Sequence, residues 1–438
     1  MRIVDTLIHA RWLIPVEPAN TVLEKHSLVV SQGNIVDILP STEAQQQYQS
    51  RYEVTLPHHA VMPGLINTHT HASMSLFRGY ADDLHLMDWL ENHIWPAETK
   101  WVSPEFVYDG TQLAIAEMIR GGITCFNDMY FFPDQAASAA KNTGMRAVLG
   151  LILIDFPTTW ANSAAQYLEK GLAVHQQYLD TPLISTAFAP HAPYTVSDEP
   201  LTQMAILANE LDIPIHMHIH ETAFEVSQSE QQHKKRPLAR LDDLGLLSPR
   251  LMAVHMTQLT DNEIERCAES GLHIIHCPES NMKLASGFCP IAKLSKAGVN
   301  IALGTDGAAS NNDLDIFGEM RCTALLAKAV ANDASVVPAQ EALQMATLNG
   351  ARALGLGDIT GSLKPGKATD VIAINLSQIE TQPIYDAISQ IVYSTNREKV
   401  SDVWIAGQHI MKNRQLQTLD ESEILAKVKE WTHKINQT

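Results

Sequence analysis

A chain of 438 residues exceeds the roughly 250–300 at which a single core stops growing, so a large domain with a smaller companion is expected. Apolar residues make up 45% and charged residues 18%, the balance of a core-forming chain, and a formal charge of −18 offers no basic stripe to nucleic acid. No run nears the ~18 apolar residues of a membrane span, the first residues reach an acid at Asp5 without an apolar signal region, and five scattered cysteines lack any C-x-x-C pair, which suits a reducing, cytoplasmic compartment.

From Ile3 to about Thr55 the chain reads as short β segments, among them Ser27–Ser31 and Asn34–Ile38, separated by a turn at Gly33. Eight further strand candidates begin near Ala60, Gly122, Arg146, Leu183, Ile213, Leu251, Leu272 and Val299. Amphipathic stretches such as Ser103–Arg120, Ser197–Leu211 and Thr260–Ser270 lie between them, each opening on a Ser or Thr cap. That alternation predicts a (β/α)8 barrel of the TIM type over residues 60–366. After Gly366 the β texture returns at Asp370–Asn375 and Val400–Ala406. Residues 1–59 and 367–438 are therefore expected to pair as a small β-sandwich domain with a terminal helix.

In such a barrel, polar residues at strand C-termini are where chemistry is done. The first strand ends in Met62-Pro-Gly-Leu-Ile-Asn-Thr-His-Thr-His71, and His69 and His71, two apart on extended chain, point to one face. Taken alone, H-x-H is also what two surface loop histidines look like. The fifth strand carries His216, His218 and His220 in alternation among Ile and Met neighbours. His216 is expected deeper in the barrel as a hydrogen-bonded core residue and His220 close to the mouth, which leaves His218 as the metal ligand and Glu221 placed to handle protons. Strand six ends at His255, and strand eight runs into Gly304-Thr-Asp306-Gly, where Asp306 is positioned to bind a metal and orient its hydroxide.

These residues, with Ser310 and the segment Gly361-Ser-Leu-Lys-Pro-Gly-Lys-Ala-Thr-Asp370, resemble the nucleoside and aminopyrimidine deaminase branch of the amidohydrolase superfamily along the whole chain. Strand four ends Phe188-Ala-Pro-His-Ala-Pro-Tyr194, without the lysine that binuclear relatives carboxylate, so the resemblance implies a single zinc ion per subunit held by His69, His71, His218 and Asp306. Histidine with carboxylate also accommodates iron. A metal that lowers the pKa of water to roughly 7 makes hydroxide available for attack at C6 of an adenine. By resemblance, Glu221 carries a proton to ring N1, while His255 and Asp306 hold the nucleophile.

The stretch Leu86-Met-Asp-Trp-Leu-Glu-Asn-His-Ile-Trp-Pro-Ala-Glu98 is similar to the methylthioadenosine/S-adenosylhomocysteine deaminase family. That likeness implies Glu98 on the ribose hydroxyls, His191 and Ser310 as substrate contacts, Trp89 as a pocket wall, and a homodimer or larger homo-oligomer engaged in nucleoside salvage. Read as sequence alone, Glu98 and Trp89 better suit an ordinary amphipathic helix packed on the barrel. No arginine occurs between Arg146 and Arg236, and the loop after strand three offers Asp155, Phe156 and Trp160, so methylthioadenosine is expected over S-adenosylhomocysteine. Rivals on the same scaffold are guanine deamination and s-triazine dechlorination. A cyclic amide hydrolase would need the missing strand-four lysine, and a noncatalytic metal-binding protein would leave Glu221, His255 and Asp306 idle.

Overall fold

The computed structural model describes residues 1–437. Its centre is a sheet of eight parallel strands in chain order: Leu65–Thr70, Ile123–Tyr130, Arg146–Leu153, Ile184–Pro190, Ile215–Ile219, Leu251–His255, His273–His276 and Asn300–Leu303. These segments are buried along nearly their whole length because helices cover the sheet and leave little solvent-facing surface to alternate toward. Strand eight closes against strand one: the Asp306 N–H donates to His69 O at 3.0 Å, and the Thr68 hydroxyl donates to Leu303 O at 2.6 Å. Closure thus sets His69 beside Asp306, 237 residues away in sequence. The approach is tight enough to require Gly304, where a Cβ would fall 2.8 Å from the His69 backbone nitrogen.

The expected first strand starts later than Ala60. Residues 60–63 finish the long strand Tyr48–Pro63 of the terminal sheet, pairing Ala60 with Ile374 and Met62 with Ile372. Gly64 is the crossover: its N–H donates to Asp370 O at 3.0 Å, and a Cβ there would lie 2.0 Å from Thr124 Oγ1, so no other residue lets the chain leave one sheet and enter the barrel at once.

Both chain ends build the small β domain, whose strands hydrogen-bond as one mixed eight-stranded sheet with Val371–Asn375 beside Tyr48–Pro63 at its middle. Ile8, Leu28, Ile35, Val61, Val371 and Trp404 form its core. A buried ion pair fastens it to the barrel, Arg146 Nε to Asp370 Oδ2 at 2.8 Å and Nη2 to Oδ1 at 3.2 Å. The helices Pro104–Arg120 and Asp261–Ser270 begin where Ser103 and Thr260 cap them, the latter with Glu263 as a reciprocal capping box. The terminal helix Glu421–Asn436 packs on the barrel, its Trp431 Nε1 donating to Asp109 Oδ2 at 2.9 Å. No helix among the described residues is long and apolar enough to cross a membrane.

Candidate active site

Four side chains converge at the C-terminal ends of strands one, five and eight. His69 Nε2 and His71 Nε2 each lie 3.2 Å from Asp306 Oδ1, and His218 Nε2 lies 3.2 Å from His69 Nε2. One ligand atom from each of the four falls within 4.8 Å of all the others. The far nitrogens are engaged: His71 Nδ1 donates to Met129 O at 2.5 Å, His218 Nδ1 donates to His191 O at 2.7 Å, and His69 Nδ1 meets His216 Nε2 at 2.9 Å. Asp306 Oδ2 accepts from Ser280 Oγ at 2.6 Å and Ser310 Oγ at 3.0 Å. Three imidazoles aimed by their second nitrogen, plus one oriented carboxylate and no thiolate, are a donor set that fits a four-ligand divalent cation.

Charge within the cluster follows from burial. Burial pushes His69 down to about 4 and His218 well below the usual imidazole range. It acts the same way on His71, but the Asp306 carboxylate outweighs it and holds that ring up to about 9. Burial opposes the charge on Asp306 too, and His69 and His71 overcome it, keeping the carboxyl well below its ordinary range.

Beside the cluster stand Glu221 and His255, with Oε2 and Nε2 3.8 Å apart. Burial raises the Glu221 carboxyl above its ordinary range. Its backbone is pinned by Glu225, a buried carboxylate that accepts from the N–H groups of His220 at 3.0 Å and Glu221 at 2.7 Å. Non-glycine residues in the left-handed region mark the strand ends, at His220 (φ 53°), His255 (73°) and Asp306 (62°), a conformation held only where surroundings over-determine it. His216 is the expected core histidine, bonded to His69 and 3.1 Å from Asn127 Nδ2. His220 is not at the mouth. The strand stops at Ile219, the left-handed turn breaks the alternation, and the His220 ring is buried between Leu238 N (3.0 Å) and Gln258 O (3.3 Å).

The cluster opens into a cavity of about 480 Å³, a size suited to a nucleoside-like ligand. His71, His218, Glu221, His255 and Asp306 line it, and so do the expected contacts Trp89, Glu98, His191 and Ser310. Trp89 and Glu98 sit on a helical segment, Leu86–Trp101, that takes one π turn over Leu90–Ile94. Glu98 Oε1 accepts from Tyr130 OH at 2.7 Å, and burial lifts its carboxyl to about 7. His191 is driven down to about 3 by burial and lies in the cavity as a neutral ring. In the loop after strand three, Phe156 reaches the cavity, but Asp155 and Trp160 do not: Asp155 Oδ2 accepts from Ser197 N at 2.7 Å, and Trp160 packs edge-on against Phe132.

Sequence reasoning missed the turn after strand seven. In the short helix Pro278–Lys283, Ser280 holds Asp306, and the next residue, Asn281, places Oδ1 2.8 Å from His255 Nδ1. Ser286, just beyond, has its hydroxyl 3.4 Å from Glu221 Oε1. Ser280, Asn281 and Ser286 are neither metal ligands nor acids, so only their place after a barrel strand could have flagged them.

The sequence pattern of the amidohydrolase family matches residues 60–410. The chain belongs to the amidohydrolase family. Among amidohydrolases, a 5-methylthioadenosine/S-adenosylhomocysteine deaminase of Teredinibacter turnerae is 49% identical over 432 residues, covering 99% of this chain and 98% of its own. An adenosine deaminase from Xanthomonas campestris, solved with bound zinc, is 52% identical with a TM-score of 0.99 over 100% of both chains. A zinc-bound atrazine chlorohydrolase of Arthrobacter aurescens shares the amidohydrolase fold at TM-score 0.91 and 21% identity, covering 97% of this chain and 99% of its own.

Proposed function

We propose that this amidohydrolase hydrolyses the 6-amino group of adenine nucleosides, with 5'-methylthioadenosine preferred, releasing ammonia and the corresponding inosine analogue. The observation that carries the reading is the meeting, in one cavity, of the His69, His71, His218 and Asp306 cluster, the Glu221 and His255 pair, and the buried Glu98 carboxylate. The four cluster residues would hold one zinc ion, which when bound supplies a water acidified to a pKa of roughly 7 and so a nucleophile at neutral pH.

The chain's own residues do the rest. Glu221, its carboxyl raised by burial, takes a proton from the attacking water and delivers it to purine N1, so that negative charge does not build on the ring as the C6–O bond forms. His255 Nε2, 3.8 Å from Glu221 Oε2, takes the second proton and returns it to the amino nitrogen, and the C6–N6 bond breaks with ammonia as leaving group. Ser280 and Ser310 keep Asp306 oriented throughout. Glu98, fixed by Tyr130, accepts from the ribose cis-diol, a contact that a free base cannot make.

Trp95 lies three residues before Glu98, on the same helix face, and its ring centroid is 6.2 Å from that of Phe156. With Glu98 on the ribose, these two rings flank the 5' substituent. No Lys or Arg among the described residues lines the cavity, so the carboxylate of S-adenosylhomocysteine has no cationic partner there, whereas a methylthio group suits an apolar wall. Ammonia release from methylthioadenosine, S-adenosylhomocysteine, adenosine, adenine and guanine by zinc-loaded protein tests the reading. Methylthioadenosine should lead S-adenosylhomocysteine in kcat/KM by on the order of 10-fold or more, with free bases inert. Comparable values for the two nucleosides would remove the preference, and activity on free bases alone would overturn the nucleoside assignment.

A further inference from the structure

We infer that Asn281 is a positioning residue that dictates which nitrogen of His255 is bare, and thereby sets that histidine as a proton acceptor facing the reacting atoms. The inference rests on the deaminase reading above and adds to it a residue that touches neither substrate nor metal.

His255 ends strand six with φ 73°, and Met256 follows at 50°, so the strand's own pleat no longer aims the ring. Its ring is buried and stacks on His218, with centroids 5.4 Å apart and planes 16° from parallel. Stacking fixes the plane of an imidazole but not its proton. That choice falls to Asn281, whose Oδ1 lies 2.8 Å from His255 Nδ1. An amide oxygen can only accept, so Nδ1 carries the hydrogen and Nε2 keeps its lone pair. That lone pair faces Glu221 Oε2 across 3.8 Å. Two acceptors at this spacing do not bond to each other. They are set to share a donor between them, first the O–H groups of the attacking water and later the N–H groups of the departing amine.

The remaining atom of the amide supports the same conclusion. Asn281 Nδ2 is buried without a hydrogen-bond partner among the described residues. A buried orphan donor costs about 1–3 kcal/mol, so the residue is not there to satisfy its own polar groups, and the oxygen is the atom in use. Asn281 also directly follows Ser280, which holds Asp306 Oδ2. One turn of helix therefore orients a group on each side of the reacting centre.

The test is nitrogen NMR on zinc-loaded protein with 15N-labelled histidine, the His255 signals being assigned by their loss in His255→Gln. The expected spectrum has Nδ1 protonated and Nε2 bare. In Asn281→Ala the tautomers mix and kcat falls about 10- to 100-fold, the scale of losing a partner that orients an active-site histidine, while KM and zinc content hold. Asn281→Asp returns the accepting oxygen and most of kcat. A wild-type His255 protonated on Nε2 overturns the inference, and does so even where Asn281→Ala fails to fold. So does wild-type kcat in Asn281→Ala, or equal impairment in the Ala and Asp variants. Because the tautomer is read without substrate, a protein inert toward every adenine nucleoside would sink the deaminase reading through the assay alone and leave the spectrum to judge Asn281.

Discussion

Around the strand ends, the polar side chains that face the cavity are held by partners behind them: His71 by Met129 O, His218 by His191 O, His255 by Asn281, Asp306 by Ser280 and Ser310. The helical wall Leu86–Trp101 is built differently. It presents Leu86, Trp89, Leu90, Ile94 and Trp95 as apolar surface, and Glu98, fastened by Tyr130, is its one ionisable residue in the cavity. The difference follows from what each side must do. Bond making tolerates little displacement, so the reacting groups sit on a barrel whose register fixes them. Holding a nucleoside needs shape and one directional contact, which a helix with a π turn can supply.

If the strand ends carry the chemistry, the largest loss should come from Glu221→Gln, which keeps the size and removes the base. The variant is expected to lose about 10²–10⁴-fold in kcat with unchanged metal content, checked by steady-state kinetics beside metal analysis. Near-normal turnover would take Glu221 out of the mechanism and weaken the contrast at its strongest point. The wall should respond to a different variable. Glu98→Gln is expected to lower kcat/KM for a ribonucleoside about 10- to 100-fold, since a charge-assisted contact is replaced by a weaker one. A 2'-deoxy analogue should suffer much less. Equal losses for both sugars would mean that Glu98 shapes the cavity without reading the ribose.

The same contrast explains what could be read in the sequence. Strand ends announce themselves because metal ligands and acids are rare in apolar β runs: His69 and His71 after Leu65-Ile-Asn-Thr, His218 and Glu221 among Ile and Met, Asp306 after Ile-Ala-Leu-Gly. The eight-fold rhythm that made them strand ends was equally plain, and only the first strand began elsewhere, because the apolar run Ala60–Pro63 leads straight into Leu65 and Ile66 with only Gly64 to divide them. The supporting layer was not legible. Ser280, Asn281 and Glu225 are ordinary turn and helix residues until the barrel brings them behind Asp306, His255 and Glu221. Alternation misplaced His220 for a related reason, since a left-handed φ is not visible in residue order. The misreading of Asp155 and Trp160 shows how little a loop's composition says about which of its side chains face inward.

Lys283 joins the two regions and gives the subtlest test of whether they are separable. It ends the short helix that carries Ser280 and Asn281, and its Nζ donates to Asp82 Oδ1 at 2.6 Å and to Asn312 Oδ1, while Asn312 Nδ2 donates to Asp82 Oδ2 at 3.2 Å. Asp82 stands just before the helical wall, so the clamp ties the wall's leading loop to the turns after strands seven and eight. The pair is 25% and 35% exposed, and an ion pair of that exposure contributes about 1 kcal/mol or less. Lys283→Met should therefore raise KM by about 5-fold at most and leave kcat near its wild-type value, because the bonds of Ser280 and Asn281 are untouched. Added salt should raise the wild-type KM toward that of the variant and change the variant little. A fall in kcat at constant KM, resembling Asn281→Ala, would mean instead that the clamp holds the short helix itself in register, and that the wall and the strand ends act as one body.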